Sequence, residues 1–359
     1  MSTSSSPPAS PRSPARSNAA KRLPELFARE TQLFGWQGLT AITPQDWTLR
    51  SFSGAHNKGN LRLVDDDGLR LEILWEKPRA GADVAKSIEV FLSGLEKEAK
   101  KKKKAFRRAD HPHLVDKKGR NRPQLVNFGW IGEADDPTAS QGWGSAWECG
   151  QCGRVVVAHV VGRRGEATGK VQRLAGEVLS SLECHGSGGW ETWSVFGLRL
   201  EVPEEFQLGR AKLLTGRLEI EWLRATKVSS LLPVPIWLKR DQRIAVQRVS
   251  AANVLLEQEP LEDWIVRTLS HADKKRRYQP PQSTSIHNHK AWVRSGGPRD
   301  LRLRVAQWIA TRWLKKVGPA IEMRVWHCEQ SNKIFVLENE VVPANAHVPV
   351  DVLDSLSCH

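Results

Sequence analysis

Apolar and polar residues alternate along two stretches of the chain in a way that predicts β-strands. Residues 70–75 read RLEILW and residues 217–222 read RLEIEW. In both, Leu, Ile and Trp share one face of an extended chain, because side chains of a strand point alternately to its two sides. Leu61 and Leu63 precede the first stretch, and three Asp and a Gly at 65–68 lie between, which predicts a hairpin.

Apolar residues at three- and four-residue spacing predict helices. The first follows Ser87, a candidate N-cap, and carries an apolar stripe: Ile88, Phe91, Leu95 and Ala99. Further helices are predicted over residues 253–269 and 301–314. A terminal helix is predicted to close each half of the chain and to end in a Cys-His pair.

Two signatures occur twice in the same order, which predicts an internal duplication. Residues 178–185 read VLSSLECH and residues 352–359 read VLDSLSCH. A Trp-x-Cys signature precedes each copy, at residues 147–149 and 326–328. The predicted organisation is a disordered basic tail over residues 1–28, a first repeat over 29–185 and a second over 186–359.

Each predicted repeat contains a strand, a turn, two strands, a helix, more strands and a final helix. This order predicts an α+β fold of two tandem sandwich repeats, each a mainly antiparallel sheet packed with helices. A proline opens the turn in both repeats, at Pro44 and Pro203, and an aromatic residue and a leucine follow it at the same offsets. With the strand pair and the C-terminal helix, this opening resembles the PsbP-like α/β/α sandwich superfamily in tandem. Members serve as extrinsic subunits, adaptors or lipoproteins, so the resemblance implies a binding or accessory role.

The balance of charge favours an anionic partner. The chain of 359 residues carries a formal net charge of +14, with 40% hydrophobic and 26% charged residues. Two basic clusters follow the predicted helices in the two repeats and are candidate anion-binding residues. They are Lys100, Lys101, Lys102, Lys103, Lys104, Arg107 and Arg108 in the first repeat, and Lys274, Lys275, Arg276 and Arg277 in the second. An acidic protein or a nucleic-acid backbone fits such surfaces, whereas a mobile, solvated charge run is the plainer interpretation.

Composition also bears on the compartment. No run of about 18 apolar residues predicts a transmembrane helix, and no apolar segment near the start predicts a secretory signal. Five cysteines, an odd and low number, favour a reducing compartment. The chain is therefore predicted to be cytoplasmic.

The cysteines offer the strongest candidate chemistry. Cys149 and Cys152 have the C-x-x-C spacing that binds one Zn²⁺, and Cys184 and His185 could complete four ligands. The second repeat offers a similar set: His327, Cys328, Cys358 and His359. Two alternatives remain open for the paired thiols Cys149/Cys184 and Cys328/Cys358. They could be small buried residues where the last helix crosses a strand, or one disulfide per repeat.

No catalytic motif stands out. The chain has no phosphate-binding P-loop, no dinucleotide-binding glycine turn and no G-x-S-x-G sequence. The run His287-Asn288-His289 is too compact for a metal-dependent nuclease motif. The sequence therefore favours a non-enzymatic binding or adaptor protein with a basic surface, and the alternative is a zinc-binding or thiol-dependent protein.

Overall fold

A computed structural model of the chain describes residues 30–79, 81, 83–109, 114–115, 122, 124–132, 141–163, 165–186, 188–225, 242–269, 276–298, 301, 304–305, 308, 320–341 and 345–358. The predicted basic tail over residues 1–28 lies outside these ranges, as do Lys274, Lys275 and most of the predicted helix over 301–314.

Strands predominate among the described residues. In chain order they are β1 (Thr31–Trp36), β2 (Leu39–Pro44), β3 (Thr48–Ala55), β4 (Lys58–Asp65), β5 (Gly68–Glu76), β6 (Arg107–Ala109), β7 (Val126–Ile131), β8 (Gln141–Glu148), β9 (Val155–Val161), β10 (Glu183–Cys184), β11 (Trp190–Val195), β12 (Leu198–Pro203), β13 (Gln207–Leu214), β14 (Arg217–Arg224), β15 (Gln242–Ser250), β16 (Arg276–Tyr278), β17 (Gln282–Ile286), β18 (His289–Pro298), β19 (Ala320–Cys328) and β20 (Lys333–Val341). The helices are α1 (Val84–Lys101), α2 (Thr168–Ser181), α3 (Ala252–Leu256), α4 (Leu261–Trp264), which continues into a π-helical turn (Ile265–Leu269), and α5 (Val348–Ser355).

The strands form three antiparallel sheets, and the two larger sheets share one strand order. The seven-stranded sheet has the order β3-β4-β5-β9-β8-β7-β6. The eight-stranded sheet has the order β13-β14-β15-β20-β19-β18-β16, with β17 as a second partner of β18. Apart from β17, each strand of one sheet has a counterpart at the same place in the other.

The third sheet joins the two halves of the chain, with the order β10-β2-β1-β11-β12. Its centre is the antiparallel pair β1–β11, in which Gly35 lies opposite Ser194. The hydroxyl of Ser194 donates a hydrogen bond to the carbonyl of Leu33 over 2.6 Å. Strands from both sides of residue 185 therefore hydrogen-bond within one sheet.

Tryptophan side chains connect the central sheet to its neighbours. The rings of Trp36 and Trp193 meet edge to face at 5.0 Å, and those of Trp193 and Trp222 at 5.2 Å. Such edge-to-face pairs add to the stabilisation from burial of the rings. One continuous cluster of buried apolar side chains contains residues of all three sheets.

The predicted α+β fold of two sandwich repeats is wrong, because the molecule is mostly β. The predicted helix over 253–269 is interrupted at Pro260, which cannot continue a helix hydrogen-bond ladder. Short helices α3 and α4 form on its two sides. One helix cannot cover the face of a seven- or eight-stranded sheet, so much of the core forms where these sheets pack on the central sheet.

Helices still cover parts of the large sheets. Helix α1 begins after Asp83, whose carboxylate caps the N–H of Lys86, and not after Ser87 as the sequence suggests. Its buried residues Val84, Ile88 and Leu92 pack on the side of the seven-stranded sheet formed by β7, β8 and β9. Helix α2 contacts β2, β8 and β9, and α5 contacts β12 and β20.

The two alternating stretches occupy different places in their sheets. Residues 70–75 lie in β5, the third strand, and residues 217–222 lie in β14, the second. Period-two alternation identifies a strand but not its neighbours, which explains the mismatch. None of the helices in the described part of the chain is both long and apolar enough to cross a membrane.

Candidate metal centre

Two of the candidate ligands lie on the tight turn between β8 and β9. The N–H of Cys149 donates to the carbonyl of Arg154 over 2.8 Å, and the N–H of Gly153 donates to the carbonyl of Cys149 over 2.8 Å. Gly153 has φ +70°, a left-handed conformation that glycine adopts without strain. The N–H of Arg154 points at the Cys152 sulfur over 3.4 Å. This hairpin turn presents both sulfurs on one side.

The other two candidate ligands follow helix α2. The sequence predicts Cys184 and His185 on a terminal helix, where adjacent side chains diverge. The helix instead ends at Ser181, and Leu182 turns the backbone into an extended conformation. Cys184 then pairs with Leu39 at the edge of the central sheet. His185 has φ +96°, and its N–H donates to the carbonyl of Gly38 over 2.6 Å.

These four residues converge on one point. The ligand atoms of Cys149, Cys152, Cys184 and His185 all lie within 4.8 Å of one another. The sulfurs of Cys152 and Cys184 are 3.9 Å apart, and the Cys149 sulfur is 3.4 Å from Nδ1 of His185. With Zn–S bonds of about 2.3 Å and Zn–N bonds of about 2.0 Å, neighbouring ligands of a tetrahedral zinc are roughly 3.5–3.8 Å apart. The cluster therefore has nearly the dimensions of a zinc site.

The alternatives for the cysteines can now be compared with the geometry. Neither predicted pair, Cys149 with Cys184 or Cys328 with Cys358, forms a disulfide bond in the structure. Cys149 and Cys184 are buried, as the plain packing interpretation requires. That interpretation does not explain why Cys152 and His185 point at the same place.

Two buried arginines compensate negative charge at the cluster. Arg154 has no exposed surface, and Nη2 donates to the Cys184 sulfur over 3.1 Å. Its Nη1 donates to the carbonyls of Gln37 and His56 at 3.0 and 3.1 Å. Arg122 lies over the Trp147 ring at 4.6 Å and donates to the carbonyl of Leu179. Three thiolates, one neutral imidazole and Zn²⁺ together carry one negative charge, which Arg154 neutralises.

The crowding of the four groups also perturbs their titration. The hydrogen bonds of the Cys152 sulfur to Cys149 and Cys184 hold the pKa of Cys152 far below its usual range. Hydrogen bonds with the Cys149 and Cys152 sulfurs raise the pKa of the Cys184 thiol, so the thiols do not ionise independently. The pKa of His185 is raised to about 10, because its ring forms hydrogen bonds with the Cys149 and Cys152 sulfurs. Binding of a divalent cation requires deprotonated thiolates and a neutral imidazole, so it would release protons from this site.

The second repeat brings together a different set from the one the sequence suggests. Cys328, Cys358 and His289 have ligand atoms within 4.8 Å of one another. His327 belongs to the same strand as Cys328 but is not part of this group. His359 lies outside the described residues. Sequence reasoning missed His289, which stands 39 positions before Cys328 at the start of β18.

The described arginines of the two basic clusters lie on corresponding edge strands of the two large sheets. The lysine run leaves helix α1 at a turn in which Lys103 has φ +54°, and all five side chains are exposed. Arg107 and Arg108 follow on β6, the last strand of the seven-stranded sheet. Arg276 and Arg277 lie on β16, at the same end of the eight-stranded order.

Sequence reasoning also missed the arginines of the centre. Arg154 directly follows the C-x-x-C-G sequence, so its position near the thiols could have been inferred from the tightness of that turn. Arg122 offered no such signal, because it stands far from Trp147 along the chain and belongs to no motif.

Comparison with known proteins gives little more. No family model matches the chain, and no curated protein matches it. Among solved structures, it is similar to the immunity protein TplEi of T6SS from Pseudomonas aeruginosa complexed with "L" peptide, with 12% identity and a TM-score of 0.34 over 91% of this chain and 97% of that one. The apo structure of TplEi gives 11% identity and a TM-score of 0.31 over 91% and 95% of the two chains. Similarities this weak carry no argument about this chain.

Proposed function

We propose that this is a non-enzymatic zinc-binding protein in which Cys149, Cys152, Cys184 and His185 hold one structural Zn²⁺. The observation that carries the proposal is the convergence of these four ligand atoms within 4.8 Å. Structural zinc sites are tetrahedral and use four Cys or His ligands, whereas catalytic sites keep a position open. Four protein ligands and a buried counter-cation fit the structural kind.

The position of the cluster suggests what the ion does for the fold. Cys149 and Cys152 belong to the β8–β9 turn of the seven-stranded sheet, while Cys184 pairs with Leu39 of the central sheet. A zinc ion bound by these residues links the seven-stranded sheet to the central sheet. Because metal binds the folded chain and much less the unfolded chain, it stabilises the fold by about 4 kcal/mol when free zinc exceeds its Kd about 1,000-fold.

Metal content of the purified full chain tests this proposal. Cys152→Ser is expected to lower the zinc bound by one ion per chain, to expose the remaining thiols to a thiol reagent and to lower the melting temperature. Gln151→Ala is the matched control, because Gln151 is an exposed residue of the same turn. Unchanged zinc content in Cys152→Ser, or a wild-type chain whose thiols all react freely in the presence of zinc, would refute the proposal.

A second proposed function, binding of an anionic macromolecule, is supported by the lysine cluster. Lys101, Lys102, Lys103 and Lys104 are exposed and make no ion pair with any residue the structure describes. Lys100 pairs with Glu96 at 3.0 Å, and Arg108 pairs with Glu89. A run of cations without compensating acids attracts polyanions, and such binding weakens as salt rises.

Retention on a heparin column in a salt gradient tests the second function. The double variant Lys102→Glu with Lys104→Glu should elute at clearly lower salt than the wild type. The control pair is Lys86→Glu with Lys212→Glu, which makes the same change of charge at exposed positions away from the cluster. Equal elution of the two double variants would exclude a specific role for the cluster.

An internal duplication explains both centres, and we propose it for this chain. The shared strand order of the two large sheets supports it, as does the antiparallel pairing of Gly35 with Ser194, which stand at matching positions of the two repeats. The lack of disulfide bonds among the described cysteines supports a reducing compartment, and we propose the cytoplasm as the place where the protein works.

A further inference from the structure

The second half of the chain builds a cluster with the dimensions of the first. Nε2 of His289 lies 3.5 Å from the Cys358 sulfur. The Cys328 sulfur lies 3.8 Å from the carbonyl oxygen of Cys358. In the first cluster the Cys149 sulfur lies 3.9 Å from the carbonyl oxygen of Cys184. The two cysteine pairs therefore have the same arrangement.

The backbone around the two cysteine pairs is also the same. Cys328 ends β19 opposite Lys333, just as Cys149 follows β8 and donates its backbone N–H to the carbonyl of Arg154. Ser357 bridges to Arg199 after α5, just as Glu183 pairs with Thr40 after α2. The second centre is thus formed by the elements that form the first.

The third ligand comes from a different element. His287 and Asn288 both have positive φ, at +48° and +64°, and form the tight turn between β17 and β18. This turn starts β18 at His289 and places the ring beside Cys358. Among the described strands of the eight-stranded sheet, β17 has no counterpart in the seven-stranded sheet. The turn from β17 into β18 positions His289.

The residues that replace Cys152 and its surroundings fit a site with less negative charge. Ser331 stands where Cys152 stands in the first turn, and its hydroxyl is buried with no hydrogen-bond partner among the described residues. Asn332, with φ +51°, takes the place of Gly153. Two thiolates with Zn²⁺ are neutral. The position of Arg154 holds Lys333, which lies opposite Cys328 in the β19–β20 pair.

The place of Arg122 in the first centre is taken by a histidine in the second. Arg122 donates to the carbonyl of Leu179, and Nε2 of His287 lies 2.9 Å from the carbonyl of the matching Leu353. A histidine therefore stands at the place of Arg122, whereas a cation is kept at the place of Arg154 in the form of Lys333.

We propose that His289, Cys328 and Cys358 bind a second zinc ion. This inference goes beyond the proposed function, because it concerns a separate centre with its own ligands. With two thiolates in place of three, it binds the ion more weakly than the first centre. A Cys₂His set is one that zinc proteins use.

Zinc counting on the full chain separates the two centres. The wild type should bind two zinc ions and His289→Ala one, and a competing chelator should remove the ion of the second centre first. Cys152→Ser should also lose one ion, and the double variant both. His347→Ala, which removes an exposed histidine at the start of α5, is the control and should keep two.

The outcomes distinguish failure of this inference from failure of the proposed function. A wild type with one ion that is lost in Cys152→Ser and kept in His289→Ala would overturn the second centre and leave the first intact. One ion that is lost in His289→Ala and kept in Cys152→Ser would support the second centre alone. With Co²⁺ in place of zinc, His289→Ala should lose thiolate charge-transfer absorption in proportion to the second ion. An unchanged cobalt spectrum in that variant would overturn the inference even if the zinc count were ambiguous.

Discussion

The guanidinium of Arg154 donates a hydrogen bond to the sulfur of Cys184 over 3.1 Å. The pair is buried, and the guanidinium also binds two backbone carbonyls, so the charge is fixed beside the thiol cluster. This one contact links the stability of the fold to the ability of the cluster to hold a cation.

Replacement of Arg154 should weaken both stability and zinc binding. Arg154→Ala removes the partner of a buried charge and should lower the free energy of unfolding by about 3–5 kcal/mol. Zinc affinity should fall about 10- to 100-fold, as for other outer-shell partners of a metal. Arg154→Lys keeps the charge and loses the carbonyl contacts, so it should lie between. Zinc titration and urea unfolding measure the two effects.

The control for these variants is Arg173→Ala on the exposed face of α2, which should match the wild type. If Arg154→Ala bound zinc as tightly as this control, Arg154 would have no role in the compensation of charge at the cluster.

Gly38 should tolerate a side chain poorly because it lies against Arg154. It has φ +79°, and a Cβ atom there would lie 3.1 Å from Nη2 of Arg154 and 3.1 Å from Oε1 of Glu191. Gly165 has a similar φ of +71° but nothing within 4 Å. Gly165→Ala should therefore cost about 1–2 kcal/mol from backbone strain, and Gly38→Ala more. Gly38→Ala should also weaken zinc binding, which separates crowding of Arg154 from strain. Equal stability and zinc affinity in the two variants would show that the space beside Arg154 is unimportant.

Gly35 and Gly94 should respond to alanine with opposite signs. A Cβ at Gly35 would lie 2.6 Å from the carbonyl oxygen of Thr192, a backbone atom of the paired strand β11. Overpacking of this kind costs about 1–3 kcal/mol. Gly94 is exposed in helix α1 with nothing within 4 Å, so Gly94→Ala should stabilise by about 0.5–1 kcal/mol. Urea unfolding of both variants measures this contrast, and a Gly35→Ala protein as stable as the wild type would contradict the close approach of β1 and β11.

Asp65 should make stability depend on pH in the acid range. Its carboxylate accepts hydrogen bonds from Arg163 and from the N–H groups of Asp67 and Gly68, and it pairs with Arg70 at 3.2 Å. Burial would raise the pKa of Asp65, but the hydrogen bonds and the two arginines outweigh burial and hold its pKa below the ordinary value. A lowered pKa stabilises the fold above the unfolded-state pKa of about 3.9, and this contribution disappears as pH falls through the lower folded-state pKa.

Asp65→Asn removes that contribution. At pH 7 the variant should be less stable than the wild type by about 1.5–3 kcal/mol, because Arg70 and Arg163 each lose one of their carboxylate partners. The difference should narrow as pH falls from 4 towards 2, where the wild-type carboxyl also becomes neutral. Asp66→Asn, at the exposed neighbour, should show no such dependence. Urea midpoints across this range would disagree with the expectation if the difference between Asp65→Asn and the wild type stayed constant.

The candidate centre could be predicted further than the fold. The C-x-x-C spacing and the repeated Cys-His pair pointed to Cys149, Cys152, Cys184 and His185, and the structure brings these four together. The backbone turn after Ser181 was not predictable, because the helical pattern continues through Leu182 to Cys184 and the hydrogen bonds to β2 override it. His289 gave no local signal, since a hairpin and not its spacing brings it to Cys358.

The number of sheets could not be predicted from the pattern of apolar and polar residues. Alternation in residues 70–75 and 217–222 indicates strands, and both stretches are strands. Nothing local to Gly35 or Ser194 reveals that they pair, because antiparallel pairing over such a separation depends on the packing of both halves. Only the ring contacts of the tryptophans show that the two halves share one core.

The pairing of Gly35 with Ser194 has a consequence for the covalent link between the halves. The peptide from Cys184 to Trp190 connects the halves covalently and is short. The halves also hold together without it, because β1 hydrogen-bonds with β11 and Trp36 packs against Trp193. A single nick by a protease in that linker would therefore leave two fragments that stay assembled and elute as one particle. The noncovalent contacts between the halves, and not the connecting peptide, keep them together.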